Sequence, residues 1–294
     1  METAGELADR LDIFFGAASP AMCRVYARVE RPERDDGLQL SGTLSGPTCT
    51  YAQTLPATFS FVDRGRGQSL LAEAVVPEPC FWTPEMPHLY RAEVQLRQAG
   101  KVLAHVERTF GIRPLGASGR KLLYAGKAWV LRGVSADGPP RVDLAHWHDA
   151  QTALLARNPD DSLCETASRV GVLVAADLAA PEVGEMRRLS RWPAVGVISW
   201  PGSQSPDVRG LGHNAILAQR FGPGESLVPA PWAGAAICDV TRTEALPDRF
   251  ADCPIPLIAI RPAGKVESVA AGRRQCDRLQ RDLAPQGQFA GYIV

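Results

Sequence analysis

Polar side chains that directly follow predicted strands are the residues best placed to do chemistry in this chain. The apolar run at 195–200 enters a Pro-Gly turn that carries Ser203 and Gln204. Loops that follow strands hold the reactive groups of many α/β enzymes. Residues 201–205 nevertheless include no carboxylate, histidine or cysteine. The turn therefore has the position of an active site but lacks the side chains that usually catalyse there.

Three aspartates each end a predicted strand in the second half of the chain: Asp137, Asp177 and Asp239. Two of them could form the pair of carboxylates that general acid–base hydrolysis requires. An aspartate after a strand also commonly caps the following loop or helix through a side-chain oxygen. We favour the capping interpretation, because three aspartates at strand ends need no catalytic role to explain them.

Two tryptophans lie beside predicted strands of the same half. Trp200 ends the run at 195–200, and Trp232 stands just before AGAAICDV (233–240). An exposed indole can stack on a sugar ring, whereas a buried one packs in the core. We treat Trp200 as a candidate for binding a sugar and Trp232 as a weaker one.

Composition excludes several classes of function. The 294 residues include 32 basic and 32 acidic side chains, so the basic excess expected of a nucleic-acid-binding protein is missing. The seven cysteines are scattered without a Cys-x-x-Cys pair, and His146 and His148 are two residues apart, on different sides of a helix. We therefore expect neither a metal nor a cofactor. The sequence shows no signal peptide and no apolar run of about 20 residues, so we expect a cytoplasmic protein with no membrane partner.

The elements that must position these side chains fall into two halves. Up to residue 113, short strand-like runs follow one another at roughly ten-residue spacing, which predicts an antiparallel β-sandwich. In LYRAEVQLR (89–97) the apolar residues alternate, and QAGK (98–101) predicts a hairpin turn. The other predicted strands of this half are 23–30, 37–44, 57–63, 69–76 and 102–110.

After residue 113 predicted strands alternate with helices, which indicates a parallel sheet, either open or closed into a barrel. GVLVAAD (171–177) is apolar up to its last residue, as a strand covered on both faces should be. Helices are predicted at 159–170, 181–191, 211–221 and 266–283, and further strands at 128–134, 152–156, 195–200, 233–240, 256–261 and 289–294.

Several segments resemble glycoside hydrolase family 2, the group of β-galactosidases, β-glucuronidases and β-mannosidases. They are FWTPEMPHLYRAEVQL (81–96), RTFGIRPL (108–115), LLYAGKAWVLRGV (122–134), ETASRVGVLVAAD (165–177) and WPAVGVISW (192–200).

The resemblance implies a multidomain fold, an immunoglobulin-like β-sandwich followed by a TIM-type (β/α)8 barrel. The domains would be an N-terminal segment at 1–16, the sandwich at 17–114 and a reduced barrel at 115–294. The resemblance does not include the family's N-terminal jelly roll, which we expect to be absent. With 233–240 taken as the fifth barrel strand, no sixth strand is found, because residues 241–253 hold no apolar run. We therefore expect a barrel that is incomplete at this strand.

The resemblance also indicates where catalytic groups should stand. Family 2 enzymes carry a general acid/base after the fourth barrel strand and a nucleophile at the end of the seventh, about 5–5.5 Å apart in a retaining mechanism. At these two positions the chain has Ser203 and Arg261. A hydroxyl is no acid near neutral pH, and a guanidinium stays protonated and cannot attack. Both catalytic carboxylates of the family are missing from their expected places.

The expected function is that of a family 2-like protein, catalytically inactive, which acts as a carbohydrate-binding or scaffold module through the mouth of its barrel. The residues expected to contact a ligand there are Trp200, Gln204, Asp177 and Arg261. One alternative is an active O-glycosyl hydrolase of β-glycosides with relocated carboxylates, drawn from Asp137, Asp177 and Asp239. Another is an interaction protein whose sandwich docks a partner.

Overall fold

The computed structural model describes residues 4–30, 37–65, 67–135, 143–205, 214–241, 250, 253–262, 264 and 266–294. These residues form two compact units. The first unit consists of the chain up to Arg113 together with Ser190–Pro193 and Asn214, and the second consists of the rest. Within the described ranges, no helix combines the length and the apolar character needed to cross a membrane.

The first unit is a seven-stranded antiparallel sheet that curls around one hydrophobic core, preceded by helix α1 (Ala4–Arg10). Alternation places the core side chains: in LYRAEVQLR the four apolar residues from Tyr90 to Leu96 are buried, as their period of two predicts. The predicted immunoglobulin-like sandwich is confirmed. Its spatial order is β1-β2-β5-β4-β3-β6-β7, with strands β1 (Leu11–Ala18), β2 (Met22–Glu30), β3 (Leu38–Thr48), β4 (Ala57–Asp63), β5 (Ser69–Pro77), β6 (Leu89–Gln98) and β7 (Lys101–Phe110).

The first strand of this sheet is one that the sequence does not predict. β1 pairs antiparallel with β2, so part of the segment 1–16 that we set apart belongs to the sandwich. Asn214 holds this strand from outside the sheet, because its side chain accepts from the backbone N of Phe15 and donates to the backbone O of Phe15, both at 2.9 Å. The strand is hard to recognise because LDIFFGAA has no regular alternation of apolar and polar residues.

The hairpin between β6 and β7 takes the turn that QAGK predicts. Ala99 has φ of 47° and Gly100 has φ of 80°, so both central residues lie in the left-handed region, as in a type I′ turn. Glycine adopts this region without penalty, whereas the Cβ of alanine makes it costly. The turn is therefore strained at Ala99.

The second unit begins with a small antiparallel sheet and continues as a closed barrel. Strands β8 (Leu115–Ser118), β9 (Lys121–Tyr124) and β10 (Lys127–Trp129) form the small sheet. Eight parallel strands follow, and the last pairs with both the first and the seventh, which closes the barrel. They are β11 (Leu131–Ser135), β12 (Ala153–Arg157), β13 (Val174–Asp177), β14 (Val195–Pro201), β15 (Ile216–Phe221), β16 (Ala235–Asp239), β17 (Leu257–Ile260) and β18 (Gly291–Ile293).

Three helices of the described part of this unit begin at side-chain caps, namely Asp143, Asp160 and Ser268. The N-cap of α3, Asp160, accepts from the backbone N of Leu163 at 2.8 Å, and Gly171 ends the helix with φ of 84°. The longest described helix lies close to β11 through Gly272, where a Cβ would stand 2.5 Å from a methyl group of Val134. The helices are α2 (Leu144–Asp149), α3 (Asp161–Val170), α4 (Val183–Ser190) and α5 (Val269–Leu283).

The closed barrel corrects two expectations. Residues 216–221, predicted as the end of a helix at 211–221, form β15 between β14 and β16, while residues 211–213 lie outside the described ranges. A short apolar run does not distinguish a strand from a helix, and buried Gln219 makes this one look amphipathic. AGAAICDV is consequently the sixth strand and not the fifth, and the barrel is complete.

Candidate functional site

The carboxyl ends of the barrel strands surround a cavity of about 1520 Å³, which we call the mouth cavity. In barrels of this type, the loops at this end of the strands carry the active site. The cavity includes residues at the ends of all eight strands and residues from α2 and α5. Its charged lining consists of the carboxylates Asp149, Asp177, Glu225, Asp239 and Glu267 and the guanidinium groups Arg157 and Arg220.

Asp177 lies at the end of β13 and is only 6% exposed. Parallel register places Arg157 of β12 on one side of it and Ser199 of β14 on the other. The hydroxyl of Ser199 has two acceptors within reach, the backbone O of Ala176 at 3.2 Å and Oδ1 of Asp177 at 3.4 Å. On Oδ2, Asp177 accepts from Nη1 of Arg220, and Nε of Arg157 lies 4.0 Å away. The register of four neighbouring strands thus gathers these groups.

The contacts of Asp177 define what this carboxylate can do. Both of its oxygens have donors within reach, and the partner on Oδ2 is a cation. A buried charge of this kind is tolerated because it is paired and hydrogen-bonded. Asp177 therefore fixes the position of Arg220, while Arg157, which also lines the cavity, is 81% exposed.

Asp239 lines the same cavity, but its carboxylate is hydrogen-bonded to a residue only two positions further along the chain. Its Oδ1 accepts from the backbone N of Thr241 at 2.8 Å and from the hydroxyl of Thr241 at 2.5 Å. These two bonds turn the chain immediately after β16, which is the capping role that aspartate commonly fills after a strand. The third candidate, Asp137, lies outside the described residues.

The turn after β14 does not point its polar side chains into the cavity. Of residues 201–205, only Pro201 lines it, whereas Ser203 and Gln204 are exposed. Their backbone carbonyls accept from two indoles: Nε1 of Trp200 lies 3.3 Å from the Gln204 oxygen, and Nε1 of Trp232 lies 3.4 Å from the Ser203 oxygen. The backbone of this turn holds the two indole rings in place, and the turn presents no general acid to the cavity.

Trp200 differs from its expected role. Its side chain is fully buried, and its ring stacks on that of Trp232 with centroids 4.1 Å apart and planes 15° apart. A ring in this position has no exposed face, so the structure gives no support to the prediction that Trp200 itself stacks on a sugar. Trp232, which covers it, is the partly exposed ring of the pair.

Arg261, at the position expected for the nucleophile, turns away from the cavity. Its Nη1 pairs with Asp282 of α5 at 3.3 Å, and its neighbours Ile260 and Pro262 line the cavity in its place. Strand alternation explains this, because successive side chains point to opposite faces. The prediction that Arg261 contacts a ligand therefore finds no support in this arrangement.

Among the charged residues of the mouth cavity that the sequence analysis missed are Arg157 and Arg220, the two guanidinium groups near Asp177. The signal available was a charged residue at the end of a short apolar run, since Arg157 directly follows ALLA and Arg220 lies within ILAQRF. Without the strand order this signal is weak, because a charged residue near a strand end does not indicate which other side chains lie close to it in the fold. Among the described residues, no cluster of three His, Cys, Asp or Glu side chains is arranged to hold a metal ion.

Comparisons with known proteins show similarity in the sandwich sequence and in the fold. Residues 21–113, nearly the whole sandwich, match the family model for glycosyl hydrolases family 2. A β-glucuronidase of Bifidobacterium dentium, solved with coumarin-3-O-glucuronide, aligns at a TM-score of 0.62 and 15% identity over 96% of this chain and 59% of the other. A family 2 member of Bacteroides cellulosilyticus aligns at 0.64 and 15% identity over 97% of this chain and 45% of the other. No match was found among curated proteins.

The chain therefore spans less than two thirds of the length of these solved structures. At 15% identity the alignments establish the fold, an antiparallel sandwich followed by a barrel of eight parallel strands. The resemblance of this chain to glycoside hydrolase family 2 is thereby confirmed, by sequence within the sandwich and by fold along nearly all of its length.

Proposed function

We propose that the mouth cavity binds a carbohydrate and that the chain does not hydrolyse glycosides through the family's pair of carboxylates. One observation carries the proposal. A cavity of about 1520 Å³ remains at the family's catalytic end of the barrel, but Ser203 and Arg261, which occupy the catalytic positions in our alignment, do not line it. The cavity is larger than the roughly 300–1,000 Å³ of common small-molecule sites, so it has room for a sugar.

The polar lining suits hydroxyl groups. Arg157 and Arg220 supply donors, and the carboxylates of Glu225 and Asp239 supply acceptors. Sugar hydroxyls donate and accept, so a mixed lining can satisfy them without leaving buried groups unpaired. The relatives supply the ligand class, because the B. dentium enzyme was solved with a glucuronide.

The contacts of Asp177 and Asp239 argue against hydrolysis by this pair of carboxylates. A retaining mechanism needs one carboxylate that attacks carbon and a second that gives up a proton. Asp177 has donors within reach of both oxygens, Ser199 and Arg220, and Asp239 holds the backbone and hydroxyl of Thr241. To act as a nucleophile, Asp177 would first have to leave Arg220 with an unpaired charge.

An active hydrolase with relocated carboxylates is the alternative. The observation in its favour is that Asp177 and Asp239 line one cavity. Asp137 belongs to the same alternative and lies outside the described residues.

Hydrolysis of a panel of aryl β-glycosides separates the two proposals. Wild type, Asp177→Asn and Asp239→Asn are incubated side by side, and we expect no release of the aryl group above buffer from any of them. Turnover by the wild type that either substitution abolishes would establish the alternative.

Binding is tested on an array of mono-, di- and trisaccharides of glucose, galactose, mannose and glucuronic acid. We expect Arg157→Ala to weaken retention of whichever sugars bind. The matched control is Arg278→Ala, which removes an exposed guanidinium of α5 that does not line the mouth cavity. Sugar binding that is equal in wild type and in Arg157→Ala and Arg220→Ala variants would place the ligand elsewhere and overturn the proposal.

A further inference from the structure

The lining of the mouth cavity differs between the two arcs of the barrel. Five successive strands, β12 to β16, each contribute a polar side chain near the carboxyl end, and we call this arc the polar side: Arg157, Asp177, Ser199, Arg220 and Asp239. The other three strands, β17, β18 and β11, are neighbours where the barrel closes. Their described lining residues are Ile260, Val294 directly after β18, and Val134 and Ser135. Because the eight strands form one ring, the two arcs face each other across the cavity.

The helices next to the second arc extend its apolar lining. Residues of α2 and α5 and of the segments beside them line the cavity there, and together with the lining of β17, β18 and β11 they form what we call the apolar side: Trp147, Ala150, Val266, Val269 and Ala270. The carboxylates on this side, Asp149 and Glu267, are exposed. Exposed carboxylates keep their hydration, so they can remain beside an apolar wall without a partner.

Part of the apolar side is open to a ligand. Val134 is only 2% exposed and packs against α5 at Gly272, as a core residue does. Ile260 and Val266, in contrast, are only half-buried although both line the cavity. Apolar surface that is wet in an empty cavity is favourable to cover, because burial removes it from water. A sugar hydroxyl placed against these side chains would gain no hydrogen bond from them.

We propose that the ligand of the mouth cavity is a glycoside with an apolar substituent, such as an aryl or terpenoid group, whose sugar lies against the polar side and whose substituent lies against Ile260 and Val266. This inference rests on the proposed function, because it assumes that a sugar occupies the polar side. It separates the ligand from an oligosaccharide, since a second sugar unit would bring hydroxyl groups to a surface that cannot bond them.

The test compares substituents on one sugar. Dissociation constants are measured by calorimetry for the methyl and phenyl β-glycosides of glucose, galactose, mannose and glucuronic acid, and for disaccharides of the same sugars. For whichever sugar binds, we expect the phenyl glycoside to bind wild type roughly tenfold more tightly than the methyl glycoside, a difference of about 1.4 kcal/mol. Burial of a modest part of a phenyl ring is sufficient for this factor. The disaccharide should show no such advantage over the methyl glycoside.

Two substitutions place a hydroxyl on the apolar side with little change of shape, Val266→Thr and Ile260→Thr. Each should weaken binding of the phenyl glycoside about threefold and leave the methyl glycoside unchanged, because only the substituent loses an apolar contact. The matched control is Val228→Thr, since Val228 is 72% exposed and does not line the mouth cavity. Thermal unfolding verifies that each variant is folded.

The outcomes distinguish this inference from the proposed function. Equal affinity of wild type for methyl and phenyl glycosides, with both weakened by Arg157→Ala, would overturn the apolar substituent and leave the proposed function standing. A phenyl preference that both threonine variants keep as fully as Val228→Thr would also overturn it, because the substituent would then lie elsewhere. Phenyl binding that the threonine variants weaken but Arg157→Ala and Arg220→Ala do not would support the apolar side and contradict the placement of the sugar. Wild type that binds none of these glycosides overturns both.

Discussion

Asp177 on β13 is ion-paired with Arg220 on β15, two strands further around the barrel, and both residues line the mouth cavity. The strand between them contributes Ser199, whose hydroxyl lies 3.4 Å from the same carboxylate. The pair lies at the carboxyl ends of the barrel strands, and its ion pair fixes the two side chains relative to each other.

We predict that the loss of each of the two ion pairs of Asp177 lowers the free energy of unfolding by a different amount. Asp177→Asn should lower the free energy of unfolding by about 1–3 kcal/mol, because Arg220 loses its charged partner; the loss is less than for a fully buried pair since Arg220 is 30% exposed. Arg157→Ala should cost less than about 1 kcal/mol, since Arg157 is exposed and 4.0 Å from the carboxylate. Urea unfolding at pH 7 measures both, and equal losses would contradict the assignment of Arg220 as the principal partner.

The hairpin turn at 98–101 offers a stabilising substitution. Ala99 has φ of 47°, which asparagine tolerates better than alanine, and Asn-Gly is the preferred pair for a type I′ turn. Ala99→Asn should therefore raise the stability of the sandwich by about 0.5–1 kcal/mol. Ala99→Val should lower it, because a β-branched side chain is disfavoured at positive φ. Chemical unfolding of the two variants checks the prediction, and destabilisation by asparagine would exclude strain at this turn.

Acid should weaken the sandwich through Glu73. This carboxylate is 7% exposed and accepts from Nε of Arg64 at 3.0 Å and from Nη1 of Arg24 at 2.6 Å. The hydrogen bond from Arg64 holds the pKa of Glu73 below its ordinary value, although burial alone would raise that pKa. Since the folded-state pKa is depressed, the stabilisation is complete above the unfolded pKa of about 4.3 and is lost as the pH falls through the folded-state value.

The stability advantage of wild type over Glu73→Gln should accordingly be constant above about pH 5.5 and shrink below about pH 4. Urea unfolding of both proteins between pH 6 and pH 3 measures this difference. An advantage that stays the same throughout this range would show that the charge of Glu73 contributes nothing to stability.

Buried thiols should resist alkylation in the folded protein. Burial raises the pKa of the thiols of Cys23 and Cys164 to about 12 and that of Cys276 to about 11. Since the thiolate is the reactive form, iodoacetamide at pH 8 should leave all three unmodified until the protein is unfolded. Cys49, which is partly exposed, serves as the internal reference. Peptide mass mapping measures the rates, and equal labelling of Cys23 and Cys49 would mean that β2 opens readily.

Local patterns in the sequence were sufficient for most of the elements. The alternation of Tyr90 to Leu96 predicts β6, the dipeptide at 99–100 predicts its turn, and Asp160 with Gly171 marks both ends of α3, because each of these signals acts within a few residues. The same reasoning failed at 216–221, where a short apolar run suits a helix as well as a strand. Only pairing with β14 and β16 selects the strand.

The sequence by itself determined that the sandwich segment resembles glycoside hydrolase family 2 and that, in the alignment this resemblance implies, Ser203 and Arg261 stand where two carboxylates would be expected, because residue identity is a local property. The tertiary structure decided which side chains reach the mouth cavity. Barrel closure and strand register bring Arg157, Asp177 and Arg220 together from positions as far as 63 residues apart, and strand alternation turns Arg261 away. The stacking of Trp232 on Trp200 buries one indole and leaves the other partly exposed. These outcomes depend on contacts between distant segments, which no pattern within one segment encodes.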